Sequence, residues 1–383
     1  MKKRLAAVAV ALAGLAAPGA TAVPELPPYA EAYQPQGTDE RGIWMLADED
    51  ERVLRDSKFL IGDPALRDYV TAILCRTVGR DRCHGVRIYI LRVAAFNANM
   101  TPNGTMQIWS GLLLRVRSEA ELAAVLGHEF AHFELRHGLA GFRHQRAALD
   151  IAAWAGFLGQ YGGAVRQGAM GSIYQFSREQ ERQADLLSLK YLKQSPYSAQ
   201  AAAHIWERMM AEADATALGR KQKSTRYNRV PYFATHPTNL DRATYLADLA
   251  RDVPARTEGD AAYVDRVGTW RREFLADQLK LNDFGGTEYL LGQLAASGWS
   301  ADLLYARGEL YRMRGHPRDL AAAADFYRAA LAKQAELPEA YRGLGLALLR
   351  NQQRAQGCEA IQHYLALHPS APDAAMLSTM ISQ

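Results

Sequence analysis

The sequence predicts a mainly helical α+β fold, followed toward the C-terminus by an all-α array of helices. Apolar residues recur at helical spacing over most of the chain. Only residues 86–95 and 106–109 alternate like strands, so the sheet should be small. After Pro254 the composition turns alanine-rich and a helical pattern repeats. With 383 residues, of which 49% are hydrophobic, the chain is long enough to form two domains with packed cores.

The first 22 residues have the pattern of a secretory signal peptide. Three basic residues at positions 2–4 precede an apolar run over residues 5–17, and small residues end the segment at Ala22. The run is short for a membrane span. We expect cleavage after Ala22, export of the mature chain, no membrane span in it, and an extended lead-in over residues 23–40. Cleavage takes the formal charge from +4 to +1, and this near-neutral chain should not bind nucleic acid.

A helix beginning near Ser118 carries the strongest chemical signal. Ser118 and Glu121 form a capping box at its start. Further along, His128 and His132 are four residues apart and so share one face of the helix. Both imidazoles can bind one metal ion, and Glu129 can act as general base on water. The pattern predicts a zinc hydrolase site, although an amphipathic helix with hydrogen-bonded histidines would show it too.

The residues just after His132 do not supply a third ligand. A metzincin site requires a glycine three residues on and a histidine three residues after that, but those positions hold Leu135 and Gly138. His137 misses the register by one residue. Because no glycine breaks the helix after His132, the third ligand must come from another segment.

The segment that begins at Ser177 is the best source of that ligand. Ser177 and Gln180 form a second capping box, which predicts a helix start. Glu181 and Asp185 lie four residues apart on one face, so Glu181 can bind the metal while Asp185 orients a ligand histidine. Glu179 has no such partner four residues on. Without the first motif, these charges would indicate only a solvated helix face.

Together, the two motifs resemble those of a known family. His128-Glu129-x-x-His132 followed by Ser-Arg-x-x-Glu-x-x-x-Asp is similar to the gluzincin metallopeptidases of the HtpX, Oma and CaaX-prenyl-protease type, above all to periplasmic members of the beta-barrel assembly-enhancing protease type. The similarity extends to residues 96–98, 102–104, 110–113 and 235–237. It implies a zincin-type metallopeptidase domain with a small edge-strand sheet over residues 41–255, which binds one Zn²⁺ through His128, His132 and Glu181.

The resemblance also implies roles for residues outside the ligand set. In the family, a histidine in the Thr-His-Pro context of His236 faces the zinc, where it either assists the reaction or occupies the open coordination position and silences the enzyme. We expect His236 to stabilise the oxyanion, with Arg178 as a weaker candidate. A lone histidine before proline can equally be an ordinary turn residue. From the alanine- and glycine-rich composition of residues 151–171 we expect a helix followed by a pliant loop near the active-site cleft, which is either a lid or a plain surface loop.

An edge strand for substrate is expected beside the metal. In the resembling family, the segment that holds Asn97, Asn99, Asn103 and Gly104 provides a strand to which an extended substrate adds by backbone pairing, a binding mode that tolerates varied sequences. These four residues are therefore candidate substrate-binding residues. Alternatively, the three asparagines are ordinary turn formers.

Three cysteines follow the predicted signal peptide. In an exported chain, Cys75 and Cys83 are close enough in sequence to form a disulfide between the end of a helix and the entry to a strand. Two buried thiols are the alternative. Cys358 is then the odd cysteine, which we expect to be a small core residue.

Residues 256–383 have the pattern of a tetratricopeptide-like helical domain. Gly308 and Gly345 occupy matching places in two units and are 37 residues apart, which is the 34-residue repeat plus a three-residue insertion that residues 315–318 can hold. Such helices should pack against the first domain and present a concave surface for substrate or partner. A generic array of helical hairpins without a binding role is the alternative.

These expectations favour a zinc-dependent endopeptidase of the bacterial periplasm that cleaves misfolded or stalled envelope proteins. Its partners would be unfolded or misassembled envelope polypeptides, and outer-membrane assembly machinery bound through the repeat domain. A chaperone or assembly factor with a latent peptidase site is the alternative. A structural zinc site is disfavoured, because it needs no general base such as Glu129 beside its ligands.

Overall fold

The computed structural model describes residues 34–143, 147, 162–224 and 239–382. Within these residues the protein is mainly helical and contains a three-stranded sheet, which confirms the predicted fold class. The predicted signal peptide, most of the lead-in, residues 151–161 and His236 lie outside the described residues. Of the helices that are described, none combines the length and the apolar character needed to cross a membrane.

The N-terminal half begins with helices α1 (Gly37–Arg55), α2 (Pro64–Val78) and α3 (Arg80–Cys83). Asp63 caps α2, since its side chain accepts hydrogen bonds from two N–H groups of the first turn. Cys83 at the end of α3 forms a disulfide with Cys75 of α2, and the two Cα atoms are 5.2 Å apart. The bridge ties the end of α2 to the residues that enter the sheet.

The sheet contains strands β1 (Arg87–Leu91), β2 (Ala98–Met100) and β3 (Thr105–Trp109) in the order β1-β3-β2. β1 pairs with β3 in parallel, whereas β2 pairs with β3 antiparallel and places Asn99 opposite Gln107. β2 is therefore the outer strand and β3 the central one. The sequence pattern missed β2, because three residues are too few to show alternation, and it wrongly extended the first strand to residue 95.

Helix α4 (Ser110–Arg115) leads into α5 (Glu119–Glu134), the helix that carries the two motif histidines. Ser118 caps α5, since its Oγ accepts a hydrogen bond from the Glu121 N–H at 3.1 Å. The Glu121 carboxylate reaches one residue further back than a capping box requires, and accepts from the Arg117 N–H at 2.8 Å. Twelve of the sixteen residues of α5 are buried, which makes it the central helix of this half.

Helix α6 (Gly162–Gln194) packs along α5 and carries the second motif. The predicted helix start at Ser177 is wrong, because α6 begins at Gly162 and runs through that position. A capping box marks the start of a helix only where the backbone before it is not helical. The residues before Ser177 are already helical. Glycine-rich composition therefore did not prevent helix formation over residues 162–171.

Close contact between α5 and α6 depends on Gly127. A Cβ added there would lie 3.0 Å from Ser188 Oγ, which is closer than an ordinary contact, so a larger residue would require Ser188 to shift. Ser188 Oγ in turn donates to the Ala124 carbonyl at 2.8 Å. The two metal-motif helices are thus held in a defined register next to the site.

Helices α7 (Ala201–Gly219) and α8 (Asn239–Ala250) pack on each other and complete this half. A buried ion pair between Arg115 and Glu212 joins α4 to α7. Arg115 also donates to Gln278 Oε1 at 3.0 Å, which connects this half to the helices that follow.

The remaining helices form the C-terminal array. They are α9 (Asp260–Gly268), α10 (Arg271–Leu279), α11 (Phe284–Leu294), α12 (Ala301–Arg314), α13 (Pro317–Lys333), α14 (Pro338–Arg350), α15 (Arg354–Leu367) and α16 (Ala374–Ser382). The Tyr327 ring of α13 is fully buried against Gly308 and Gly343, where added Cβ atoms would lie 2.7 and 2.5 Å from it. Tyr327 thereby joins three helices. The tetratricopeptide-like assignment and the domain boundary at residue 255 stay predictions.

Candidate metal centre

Helices α5 and α6 bring three ligand-type side chains together. His128 Nε2 and His132 Nε2 lie 3.2 Å apart, and each is 3.4 Å from a carboxylate oxygen of Glu181. One ligand atom from each of the three residues lies within 4.8 Å of the others. Two imidazole nitrogens and one carboxylate oxygen are a donor set that zinc uses in catalytic sites, with a further position for water or substrate. The residues therefore fit one Zn²⁺.

The imidazole of His128 is oriented through its other nitrogen. Nδ1 donates to Asp185 Oδ1 at 2.9 Å, which leaves the lone pair of Nε2 directed toward the other two ligands. Asp185 lies one turn beyond Glu181 on α6 and is only 3% exposed. This places the predicted orienting carboxylate directly behind one ligand histidine.

Asp185 has a charge partner that the sequence analysis missed. Arg242 of α8 donates to both oxygens of Asp185, from Nε at 2.8 Å and from Nη2 at 2.5 Å. Its guanidinium also lies 3.7 Å from the centre of the Trp206 ring, and the Tyr245 hydroxyl donates to Asp185 as well. No spacing rule connects two residues 57 positions apart. The only available signal was chemical, since a buried carboxylate needs a cation or donors nearby.

Burial and charge act in opposite directions on Asp185. Removal from water raises the pKa of its carboxyl group, but the positive charge of Arg242 and the hydrogen bonds from His128 and Arg242 lower it more strongly. The net result is a pKa well below the ordinary value for aspartate. The carboxylate therefore stays ionised at neutral pH and can accept the His128 hydrogen bond.

His132 has an outer partner of a different kind. Its Nδ1 lies 3.0 Å from His137 Nδ1, and His137 Nε2 lies 3.1 Å from Gln183 Oε1. Helix α5 ends at Glu134, Arg136 adopts a left-handed backbone conformation with φ 54°, and helical residues resume at His137, so the helix breaks without a glycine. The sequence argument treated a glycine as necessary for this break. His137 thus returns to the site beside a ligand rather than as one.

The ligand atoms face a cavity of about 670 Å³. Glu129 lines this cavity beside the ligands, and Asn97 and Asn99 line it at the outer strand β2. Other side chains that line it are apolar, namely Leu112, Val125, Ile205, Trp206, Met209 and Leu246. The cavity therefore joins a polar end suited to a metal ion with a wall suited to an apolar side chain.

Two other predicted substrate-binding residues shape a turn instead of the cavity. Asn103 is buried between β2 and β3, where its side-chain amide donates to Asp48 and Glu51 at 2.8 and 3.1 Å. Gly104 has φ 88°, and a Cβ there would lie 2.8 Å from a backbone oxygen. Neither residue is among the side chains that line the cavity.

Of the two predicted oxyanion donors, only Arg178 lies within the described residues. Arg178 lies on α6 one turn before Glu181 and is not among the cavity-lining side chains. His236 lies outside the described residues, three positions before α8 begins at Asn239.

Comparisons with known families and proteins match the segment of the chain that holds this site. The model of peptidase family M48 matches residues 66–250, a segment that includes α5, α6 and α8. A putative beta-barrel assembly-enhancing protease of Vibrio cholerae is 30% identical over 217 residues, which are 53% of this chain and 43% of that protein. The mitochondrial metalloendopeptidase OMA1 of Schizosaccharomyces pombe is 27% identical over 206 residues, 53% of this chain and 57% of that protein.

A third relative is covered over more of its length. The metalloprotease LoiP of Escherichia coli is 25% identical over 228 residues, 57% of this chain and 84% of LoiP. The chain spans about half the length of the first two relatives. The resemblance inferred from the motifs is thereby confirmed. Residues 66–250, which hold both halves of the metal centre, therefore match the model of peptidase family M48.

Proposed function

We propose that this protein is a zinc-dependent endopeptidase that cleaves unfolded polypeptides. The observation that carries the proposal is the position of Glu129, which shares one cavity with the three ligand side chains beside the outer strand β2. A structural zinc site has no use for a carboxylate at that place, whereas hydrolysis needs a base there.

His128, His132 and Glu181 would hold the zinc ion. Bound there, zinc supplies Lewis acidity, which makes water more acidic and polarises a carbonyl group. Asp185 keeps His128 Nε2 directed at the ion, and Arg242 balances the buried charge of Asp185. Asp185 and Arg242 therefore act on the metal site by orienting one of its ligands.

Glu129 is the general base of the proposed reaction. Its carboxylate takes a proton from water as the water oxygen attacks the scissile carbonyl carbon. It then delivers that proton to the amine nitrogen as the carbon–nitrogen bond breaks, so one peptide bond and one water give one acid and one amine. A donor must stabilise the negative charge on the carbonyl oxygen. His236 is our candidate, and Arg178 the weaker one.

Substrate would bind as an additional strand along β2. Among the described residues β2 pairs with β3 alone, so its other edge can form backbone hydrogen bonds with an extended chain. Asn97 and Asn99 would flank that chain, and the wall around Trp206 and Met209 fits an apolar side chain near the scissile bond. Unfolded chains offer extended backbone and apolar side chains together, which folded proteins seldom do.

The setting that we propose is the bacterial periplasm, with misfolded or stalled envelope proteins as substrates. The signal-peptide pattern of residues 1–22 supports this setting. So does the disulfide between Cys75 and Cys83, because such bonds persist in oxidising compartments. The names of the bacterial relatives point to proteases that enhance beta-barrel assembly. The C-terminal helices would bind the assembly machinery.

Cleavage of an unfolded protein tests the proposal. The mature chain, residues 23–383, is loaded with zinc and incubated with reduced, alkylated lactalbumin, and the Glu129→Gln variant is treated in parallel. We expect cleavage by the wild type and a loss of about 10²–10⁴-fold in the variant, since only the base is removed. If neither protein cleaves although both contain zinc, the peptidase proposal fails and the chaperone with a latent site becomes the better account.

A further inference from the structure

We propose that His137 is a positioning residue of the metal centre, which fixes the tautomer and ring orientation of the ligand His132 through a neutral hydrogen-bond chain that continues to Gln183. The proposal rests on the zinc site of the proposed function. It concerns a buried histidine to which the mechanism above assigns no step.

His137 is held in place from both its side chain and its backbone. The residue is 6% exposed, and its ring meets that of His132 edge to face, with centroids 4.9 Å apart and an interplanar angle of 76°. Gln180 Nε2 donates to the His137 carbonyl at 2.8 Å, and Gln183 Oε1 lies 3.1 Å from His137 Nε2. Two glutamines of α6 thus fix the orientation of one histidine.

The direction of the hydrogen bonds follows from metal binding. His132 Nε2 faces the other two ligands, so its lone pair is committed to the metal and its proton must be on Nδ1. That N–H donates to His137 Nδ1, which places the His137 proton on Nε2, where it is donated to Gln183 Oε1. Gln183 Nε2 then donates to Glu179 Oε1 at 3.2 Å. Each N–H in this series of hydrogen bonds has one acceptor, and every bond is donated in the direction from His132 toward Glu179.

The backbone at Arg136 supports a functional placement of His137. A left-handed conformation is uncommon for a residue with a side chain, and Arg136 adopts it with φ 54° immediately before His137. Conformations of this kind persist where the surrounding structure requires them, often at functional sites. Here the turn brings His137 back onto His132 instead of letting α5 continue.

The two ligand histidines therefore have partners of different charge. The carboxylate of Asp185 supports His128 and is balanced by Arg242, whereas a neutral imidazole supports His132. A neutral acceptor orients the ligand without adding a further buried negative charge that would need its own counter-ion. The contribution of His137 is therefore geometric. Removal of its imidazole would leave the buried Nδ1–H of His132 without an acceptor.

Two substitutions at position 137 separate the hydrogen bond from the packing. His137→Leu fills a similar volume without an acceptor, whereas the side-chain oxygen of His137→Asn can accept near the position of Nδ1. His84→Leu, at an exposed histidine of the same protein, is the control. Zinc affinity of the mature chain is measured by competition with a chromophoric chelator. The visible absorption of the Co²⁺-loaded proteins reports the ligand geometry.

We expect the leucine variant to bind zinc about 10–100-fold more weakly than the wild type, and the asparagine variant to recover to within about threefold. The Co²⁺ absorption band should shift in the leucine variant and return in the asparagine variant. The His84 variant should match the wild type in both measurements.

Three results would overturn the proposal. One is wild-type zinc affinity in the leucine variant. Another is an equal loss in both position-137 variants, which would show that packing alone matters. A wild type that binds no zinc would overturn this proposal and the proposed function together. A wild type that binds zinc without cleaving protein would contradict only the proposed function, because the readouts here are affinity and absorption.

Discussion

Two buried arginine–carboxylate pairs in this protein have similar chemistry and different neighbours. Arg242 donates from Nε and Nη2 to Asp185 at 2.8 and 2.5 Å, and Arg115 donates from the same two nitrogens to Glu212 at 2.9 and 2.6 Å. Both arginines are less than 8% exposed. The two pairs differ in the group that each contacts besides its own partner. Asp185 accepts from the ligand His128, whereas Arg115 and Glu212 join α4 to α7.

The other contacts of Arg115 are also structural. Its Nη1 donates to the carbonyls of Ala94 and Gly111 at 3.1 and 3.0 Å, and its Nη2 donates to Gln278. Arg242 instead lies within 3.8 Å of the ligand Glu181. A buried ion pair therefore has no function of its own, and the group beyond the carboxylate decides whether the pair stabilises the fold or orients a metal ligand.

Loss of either arginine should destabilise the protein strongly. Arg242→Met and Arg115→Met each leave a buried carboxylate without its cation, and breaking such a pair costs about 3–5 kcal/mol. Urea unfolding of the metal-free proteins at neutral pH measures the free energy of unfolding. An unfolding free energy close to that of the wild type in either variant would contradict the idea that the pair is needed for stability.

Zinc affinity should then separate the two variants. Arg242→Met disturbs the carboxylate that orients His128, and loss of such outer support weakens metal binding about 10–100-fold. Arg115→Met, the matched control, should keep wild-type affinity once it is folded. Chelator competition on the folded fraction measures both. Equal losses of affinity in the two variants would show that general destabilisation, rather than ligand orientation, explains the effect.

The smallest expected effect is a change of stability with pH. An unfolded aspartate has a pKa of about 3.9, and Arg242 holds the pKa of folded Asp185 below that value, so the wild type keeps this stabilisation until the pH falls below about 3.9. In Arg242→Met, burial would raise the pKa of Asp185, so protonation at low pH would stabilise the variant. The difference in unfolding free energy between the metal-free proteins should narrow from pH 7 to pH 4.

Urea titrations at several pH values measure this difference. The His84→Leu variant, whose substitution lies at an exposed site, serves as the control and should track the wild type throughout. A difference that stays constant or widens toward acid would contradict the assignment of Arg242 as the charge partner of Asp185.

The parts of the site that local spacing determines could be predicted from the sequence. His128 and His132, and Glu181 and Asp185, are each four residues apart on one helix, and helical geometry alone brings such side chains to one face. The three ligand-type residues do meet in the structure. The family followed from the same motifs, because each restricts the chemistry of several positions at once.

The parts that depend on tertiary packing could not be predicted. Arg242 reaches Asp185 from a separate helix, and no periodicity relates the two. Arg136 adopts a left-handed backbone conformation, which allows the His137 side chain to contact His132. From the sequence, only a glycine was expected to allow such a break. The outer strand β2 was expected only from the family resemblance, because its three residues show no alternation of their own and are defined by their pairing with β3. Each of these features is set by contacts between elements, about which a local pattern carries no information.

Zinc content tests the central claim most directly. The wild type, Glu129→Gln and His132→Ala are purified, dialysed against metal-free buffer after zinc loading, and analysed for zinc per chain. We predict about one zinc in the wild type and in the Glu129 variant, and almost none in the His132 variant, because a three-residue ligand set cannot lose an imidazole and keep its affinity. Full zinc content without His132 would contradict the ligand set on which the whole account depends.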